Sequence, residues 1–171
     1  LLSALGATSA ARPATPKRLI SATDVKTFGG SADPQISSDG RTVAFVRVDA
    51  NENKDDYETS IWIAPADHRS PPRRFTAGPR DEAPRFSPDG TLLAFLRFAE
   101  KDGKRQPPQL LLMSMSGGEP KAITDLPRGV SAATFSPDGR TLAFTSTTTD
   151  EDLKLAMNHP KDPVRESDVK V

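Results

Sequence analysis

The chain contains no cysteine, a single tryptophan, a single tyrosine and only two histidines. Without cysteine, disulfides, thiolate metal ligands and a cysteine nucleophile are excluded. The histidines, His68 and His159, sit in polar or proline-rich surroundings and are read as surface loop residues. A zinc site ordinarily takes three or four protein ligands. A triad needs a histidine within reach of an activated serine and an orienting acid. Neither pattern is present, so no catalytic residue, no metal ligand and no cofactor site is expected. Net charge is also absent: 23 Lys+Arg balance 23 Asp+Glu. No long-range field draws this chain to nucleic acid or to an anionic membrane surface. No later stretch approaches the ~20 apolar residues of a membrane span.

What the chain has is turn formers, with 16 Pro and 11 Gly among 171 residues. They leave little room for long helices and fit many short strands. The first residue is Leu1, not Met, and residues 1–14 are apolar, then rich in small residues, then charged at Arg12. With small pairs such as Ser9 and Ala11, the pattern reads as the remnant of a secretory signal or a disordered terminus. It implies a periplasmic or secreted protein, with the cytoplasm as the alternative.

The strongest signal is an internal repeat. Ile36-Ser37-Ser38-Asp39-Gly40, Phe86-Ser87-Pro88-Asp89-Gly90 and Phe135-Ser136-Pro137-Asp138-Gly139 recur at intervals of 50 and 49 residues. Each is followed by a short apolar run ending in Ala-Phe. Pro presets φ in the second turn position, Asp suits the third, and Gly accepts the left-handed conformation that closes a tight hairpin. Ser38 replaces Pro in the first copy. Adjacent apolar residues within one strand imply burial on both faces. Ser60 to Ala64 aligns with Leu110 to Ser114 at an interval of 50, and Arg73 to Thr76 with Lys121 to Thr124 at 48.

Each period therefore reads as four short antiparallel strands, the unit of a β-propeller. The fold class expected is all-β: an incomplete β-propeller with two full four-stranded antiparallel blades plus part of a third. Residues 1–14 form the signal remnant, 15–32 a lead-in, 33–77 and 78–125 the blades, and 126–171 a partial blade with a polar insert. A closed propeller takes at least four blades. The expectation is thus a fragment whose exposed sheet edges need more protein, or a chain that completes its sheet by forming a homo-oligomer.

Other patterns carry less. Asp49 to Asn53 begins like a calcium loop, but Lys54 stands where Gly is needed and Ser60 where Glu is needed. Asp49 to Glu58 is read as a solvated loop. Arg69, Arg73, Arg74, Arg80 and Arg85 are expected to pair with acids such as Asp81 and Glu82, with Arg73 and Arg74 on opposite strand faces. Trp62, between Ile61 and Ile63, is expected in the core between blades. Gly117-Gly118 is a hairpin connection, since no helix follows to build a phosphate loop.

From Asp33 to Ser146 the ordered motifs resemble the N-terminal propeller of the prolyl oligopeptidase family of serine peptidases, in particular its acylaminoacyl-peptidase branch. They are Asp33-Pro34-Gln35, the acidic segment before Ile61-Trp62-Ile63, Arg80 to Gly90, Gly117-Gly118-Glu119, Ile123-Thr124 and Gly129-Val130-Ser131. TolB-like propellers share the Ser-Pro-Asp-Gly repeat, so a non-enzymatic protein-binding propeller is the alternative. The resemblance implies a C-terminal α/β-hydrolase domain of the same protein as partner and peptides as substrates, with the propeller restricting access. It also implies a G-x-S-x-G nucleophile elbow. Gly129-Val130-Ser131-Ala132-Ala133 and Gly29-Gly30-Ser31-Ala32-Asp33 both lack its second glycine, so the chain alone is expected to be inactive.

Overall fold

The structure is a computed structural model and describes residues 29–51, 56–78 and 80–158. The signal-remnant reading of residues 1–14, most of the lead-in and His159 lie outside them. Strands β1 (Gly30–Ile36), β2 (Thr42–Asn51), β3 (Asp56–Pro65) and β4 (Arg73–Arg74) form one antiparallel sheet in sequential order. After β5 (Asp81–Phe86) and β6 (Leu92–Arg97) comes a small hairpin, β7 (Glu100–Lys101) and β8 (Lys104–Arg105). Strands β9 (Gln109–Ser114) and β10 (Lys121–Ala122) then complete a second four-stranded sheet. Strands β11 (Ala132–Phe135) and β12 (Leu142–Thr145) begin a third. The fold is all-β with four-stranded antiparallel blades. The first strand starts at Gly30, inside the segment read as lead-in.

The three hairpin turns are near copies. The Ser37, Ser87 and Ser136 hydroxyls donate to Asp39, Asp89 and Asp138 at 2.6, 2.5 and 2.5 Å. Those carboxylates accept the backbone N–H of Arg41, Thr91 and Arg140 at 3.0, 3.1 and 3.1 Å. Gly40, Gly90 and Gly139 donate back to the serine carbonyls at 2.8, 2.9 and 2.9 Å, with φ of 71°, 71° and 70°. Ser38 in place of Pro leaves this geometry unchanged, because the Ser–Asp–Gly bonds close the turn without it.

Those bonds favour the ionised carboxylates. Serine hydroxyl donation first, then backbone N–H, holds Asp39, Asp89 and Asp138 below the ordinary carboxylate range. Their folded-state pKa is depressed, so their contribution is present above the unfolded value of about 4 and is lost as pH falls through the folded value. Urea midpoints are expected to decline on acidification below about pH 4. The triple variant Asp39→Asn, Asp89→Asn, Asp138→Asn should show a flatter decline. An equal slope would remove the turns from the account.

Stacking buries the faces. Strands β1, β5 and β11 lie against one another as the innermost strands of successive sheets. On β2 and β3, Ala44 pairs with Ile63 and Val46 with Ile61, and all four point at the second sheet. Ala44, Ile61 and Ile63 meet Leu93, Phe95, Leu111 and Met113 in one core cluster. The opposite face of the second sheet, Ala94, Leu96, Leu110 and Leu112, packs on Phe135 and Leu142 of the third and on Val130, which leads into it. Strand β6 is thus covered on both sides, as its Leu92-Leu93-Ala94-Phe95-Leu96 run requires. Burying Phe95 completely is worth about 1.5–3 kcal/mol.

The pairing register corrects one alignment. Ala44 pairs with Ile63 and Ala94 with Leu112, so Trp62 corresponds to Leu111, not Leu112. The fourth strands agree: Ile61 N–H donates to the Thr76 hydroxyl at 3.1 Å as Leu110 N–H does to Thr124 at 2.9 Å. A slip of one residue reverses the face. Trp62 therefore lies beside Phe45 on the face turned away from the second sheet.

Candidate functional site

The inner strands are bent where their prolines fall. Pro has no N–H for the ladder, so within a strand it belongs at an edge or a bulge. Pairing runs from Ala32–Val46 to Gln35–Ala44 and from Glu82–Leu96 to Arg85–Ala94, leaving Asp33-Pro34 and Ala83-Pro84 each opposite one residue. Asp33 and Ala83 take positive φ, 44° and 53°, a conformation that costs a non-glycine residue about 1–2 kcal/mol. The third inner strand has Ala133 at the proline position and pairs without a shift.

These bulges border an open cleft of about 660 Å³ at one end of the stack. Asp33 of β1, Glu82 of β5 and Ser131 just before β11 line it, and apolar walls come from Val46, Leu96 and Val130. Asp33 accepts from Arg85 at 2.8 Å and from Gln35 at 2.8 Å, tying the first two inner strands together. Glu82 accepts from Thr59 at 3.3 Å. Everything inserted between the second and third strand of a repeat emerges at this same end: the long arm of β2 and β3, the β7–β8 hairpin, and the segment after β12. The opposite end carries the three uniform Ser-x-Asp-Gly turns.

The third insert holds the helix α1 (Asp150–Asn158), where the sequence reads only as polar. Its signal is local: Thr149 and Asp152 form a capping box. The Asp152 carboxylate accepts Thr149 N–H at 2.8 Å, and the Thr149 hydroxyl accepts Asp152 N–H at 3.3 Å. Asp150, Glu151 and Asp152 complement the helix N-terminus. Arg128 donates to Asp152 from Nε and a terminal nitrogen at 2.7 and 3.0 Å. The Arg128 guanidinium, and then the Thr149 backbone, hold the Asp152 carboxyl well below its usual range. Thr149→Ala is expected to weaken α1 by about 1 kcal/mol. Faster amide exchange confined to residues 150–158 would show it, and unchanged exchange would contradict the capping account.

The arginines pair, but with other acids than expected. Arg80 binds Asp56, Arg85 binds Asp33, and Arg69 binds Asp67 at 3.2 Å. Asp81 is taken by Arg97, which the sequence did not single out. Arg73 lies over the Phe75 ring while Arg74 donates to the Thr76 and Gly78 carbonyls, so the two do diverge. The presumed loop from Asp49 to Glu58 is in part the paired ends of β2 and β3, with Asn51 donating to Glu58 at 2.6 Å; residues 52–55 lie outside the description. Gly117 and Gly118, with φ of 97° and 109°, join β9 to β10.

The cleft serines are committed elsewhere. Ser146 donates to the Gly129 carbonyl at 2.6 Å, and Ser131 shares a bond with Thr145 at 2.9 Å. His68 is exposed in the turn after β3, at the other end of the sheet. Among the described residues no three His, Cys, Asp or Glu side chains are grouped to hold a metal, and no helix is long and apolar enough to cross a membrane.

Fold and site define a class: a propeller segment with a shaped rim and, among the described residues, no assembled nucleophile. No family model matches the chain. It is 38% identical over 129 residues to the uncharacterized peptidase YuxL of Bacillus subtilis, covering 75% of this chain and 19% of that protein. A dipeptidyl-peptidase 5 of Trichophyton schoenleinii is 33% identical over 132 residues, covering 70% and 18%. In structure it is similar to the acylaminoacyl peptidase of Pyrococcus horikoshii, with TM-score 0.56, 23% identity and coverage of 71% of this chain and 18% of that one. The β-propeller domain of the Pyrococcus furiosus trilobed protease gives TM-score 0.57 at 23% identity, with 72% and 36% covered. TolB of Acinetobacter baumannii gives 0.51 at 24%, with 68% and 27% covered. The chain belongs, as a propeller portion, to the prolyl oligopeptidase family of peptidases. It spans about a fifth of the length of the curated relatives, 19% and 18%.

Proposed function

We propose that this chain is the non-catalytic propeller portion of a serine-type exo- or oligopeptidase and gates peptide access to an α/β-hydrolase domain of the same protein. The observation that carries the reading is the 38% identity to a peptidase across three-quarters of the chain, 75%, along a segment that folds as propeller blades. The insert-bearing rim is the end at which gating takes place, because its arm, hairpin and helix differ from blade to blade while the opposite rim repeats one turn. Peptide backbone and side chains would meet both the apolar walls and the carboxylates of the cleft there.

The test uses the full-length protein and the 171-residue chain side by side. The full-length protein should react with a fluorophosphonate and cleave short peptides while sparing folded proteins. The 171-residue chain should do neither. No fluorophosphonate labelling of the full-length protein would overturn the peptidase reading, and equal cleavage of folded proteins would overturn the gating. A TolB-like binding propeller is the second reading, favoured by the fold likeness to TolB. A full-length protein lacking any G-x-S-x-G elbow would establish it instead.

A further inference from the structure

We propose that Asp102-Gly103 is a self-modification site, where aspartate isomerises to isoaspartate through a cyclic imide. The site stands apart from the peptidase reading. Asp-Gly occurs four times, at Asp39, Asp89, Asp102 and Asp138. In any such pair the glycine nitrogen is the covalent neighbour of the aspartate carboxyl, and no glycine side chain obstructs its attack. The dipeptide alone makes the four sites equal. Their surroundings make them different.

Three of them are locked inside the repeat turns. Asp39, Asp89 and Asp138 each accept a serine hydroxyl, at 2.6, 2.5 and 2.5 Å, and a backbone N–H two residues on. The nitrogen that would attack is engaged as well, since Gly40, Gly90 and Gly139 donate to the serine carbonyls. The same donors keep these carboxylates ionised, and an ionised carboxylate resists attack. Reaction there requires the turn to come apart. Each net hydrogen bond that must break first slows a reaction about fivefold, so two slow it roughly 25-fold.

Asp102 has none of these restraints. With Gly103 it forms the two-residue turn between β7 and β8, across which Lys101 pairs with Lys104. Their φ values of 51° and 70° are those of a type I′ turn. Both residues are exposed, and a Cβ on Gly103 would meet nothing within 4 Å. Among the described residues no hydrogen bond reaches the Asp102 carboxylate or the Gly103 N–H. A ladder of two residue pairs also opens readily. In the reaction the Gly103 nitrogen bonds to Asp102 Cγ, and the amide proton leaves with a carboxyl hydroxyl as water. Water then opens the imide. Opening at Cγ restores aspartate; opening at the backbone carbonyl carbon leaves the chain joined through Cγ, with a free α-carboxylate. The product has the same mass and one more carbon in its main chain, which the tight turn does not accommodate. The hairpin so loosened carries Arg105, 3.6 Å from Asp56 of the neighbouring arm, and follows Phe98 of the cleft wall.

The test is to age the native full-length protein at neutral pH, digest it and map the four peptides. Methyl transfer by an isoaspartyl methyltransferase and electron-transfer fragmentation both read isoaspartate. Asp102 should isomerise roughly 25-fold faster than Asp39, Asp89 or Asp138. In urea, where the turns are lost, the four should react at similar rates. Ser37→Ala removes one donor and should speed Asp39 about fivefold. Asp102→Glu should abolish methylation of the hairpin peptide, because the larger ring closes far more slowly. Aged wild-type protein should show faster amide exchange over residues 99–106, and aged Asp102→Glu should not. Isoaspartate spread evenly over the four sites of the native protein would overturn the proposal. So would an Asp102 that reacts in urea and stays inert in the native protein.

Discussion

Arg97→Met is expected to destabilise the chain by about 3–5 kcal/mol, the cost of leaving a buried carboxylate without its partner. Asp81 is wholly inaccessible at the start of β5. Arg97 meets it with both prongs of the guanidinium, Nε at 2.6 Å and a terminal nitrogen at 2.8 Å. The same group lies 5.4 Å from the Phe95 ring centroid, and a Cβ on Gly78 would sit 2.4 Å from Nε. Arg97 therefore fastens the entry into the second blade to its inner strand and leaves no room for a side chain at Gly78. Methionine preserves most of the stem but supplies no charge. Urea unfolding should report the loss. Adding Asp81→Leu to Arg97→Met should recover most of it, because an apolar pair of similar volume often equals a buried ion pair in stability. A double variant as unstable as the single one would mean that packing, not the stranded charge, sets the cost.

Gly129→Ala should cost about 2–4 kcal/mol, the sum of left-handed backbone strain and a disrupted buried hydrogen bond. Gly129 has φ of 71°, and its added Cβ would lie 2.5 Å from the Pro108 carbonyl oxygen and 2.8 Å from its nitrogen. Backbone atoms have nowhere to rotate, so the segments must separate. Separation breaks the 2.8 Å bond from Val130 N–H to Pro108 and withdraws Val130 from the core between the second and third sheets. Gly40→Ala is the control: its φ is also 71°, but an added Cβ meets nothing within 4 Å. It should cost only about 1 kcal/mol, the strain alone. Equal losses in the two variants would show that the approach to Pro108 is soft. Gly129 thus stands before Ser131 for a packing reason, not as part of a nucleophile elbow.

Much of this was legible before any coordinates. The Ser-x-Asp-Gly turns close through bonds spanning no more than six residues, and their composition announces them. Pro34 and Pro84 mark the bulges because a missing N–H must fall off the ladder. The Ala-Phe pairs announce strands covered on both sides. Even α1 left a sign in Thr149 and Asp152, masked by the polarity of the run around them.

The cleft was not legible, and neither were its tethers. Asp33 and Arg85 are far apart in the chain, as are Arg128 and Asp152, and each has nearer charges that are equally plausible partners on paper. The alignment of Trp62 was off by one residue because the repeat tolerates an interval of 49 or 50, and one residue of slip exchanges the two faces of a strand.

The sequence by itself therefore determined the turns, the four strands of each full repeat and the repeating blade, since each is set by bonds and steric preferences among near neighbours. Only the tertiary structure decided which faces meet, which charges are buried together and which end of the stack is shaped, because those follow from strand register and from close approach between residues that the chain order keeps apart.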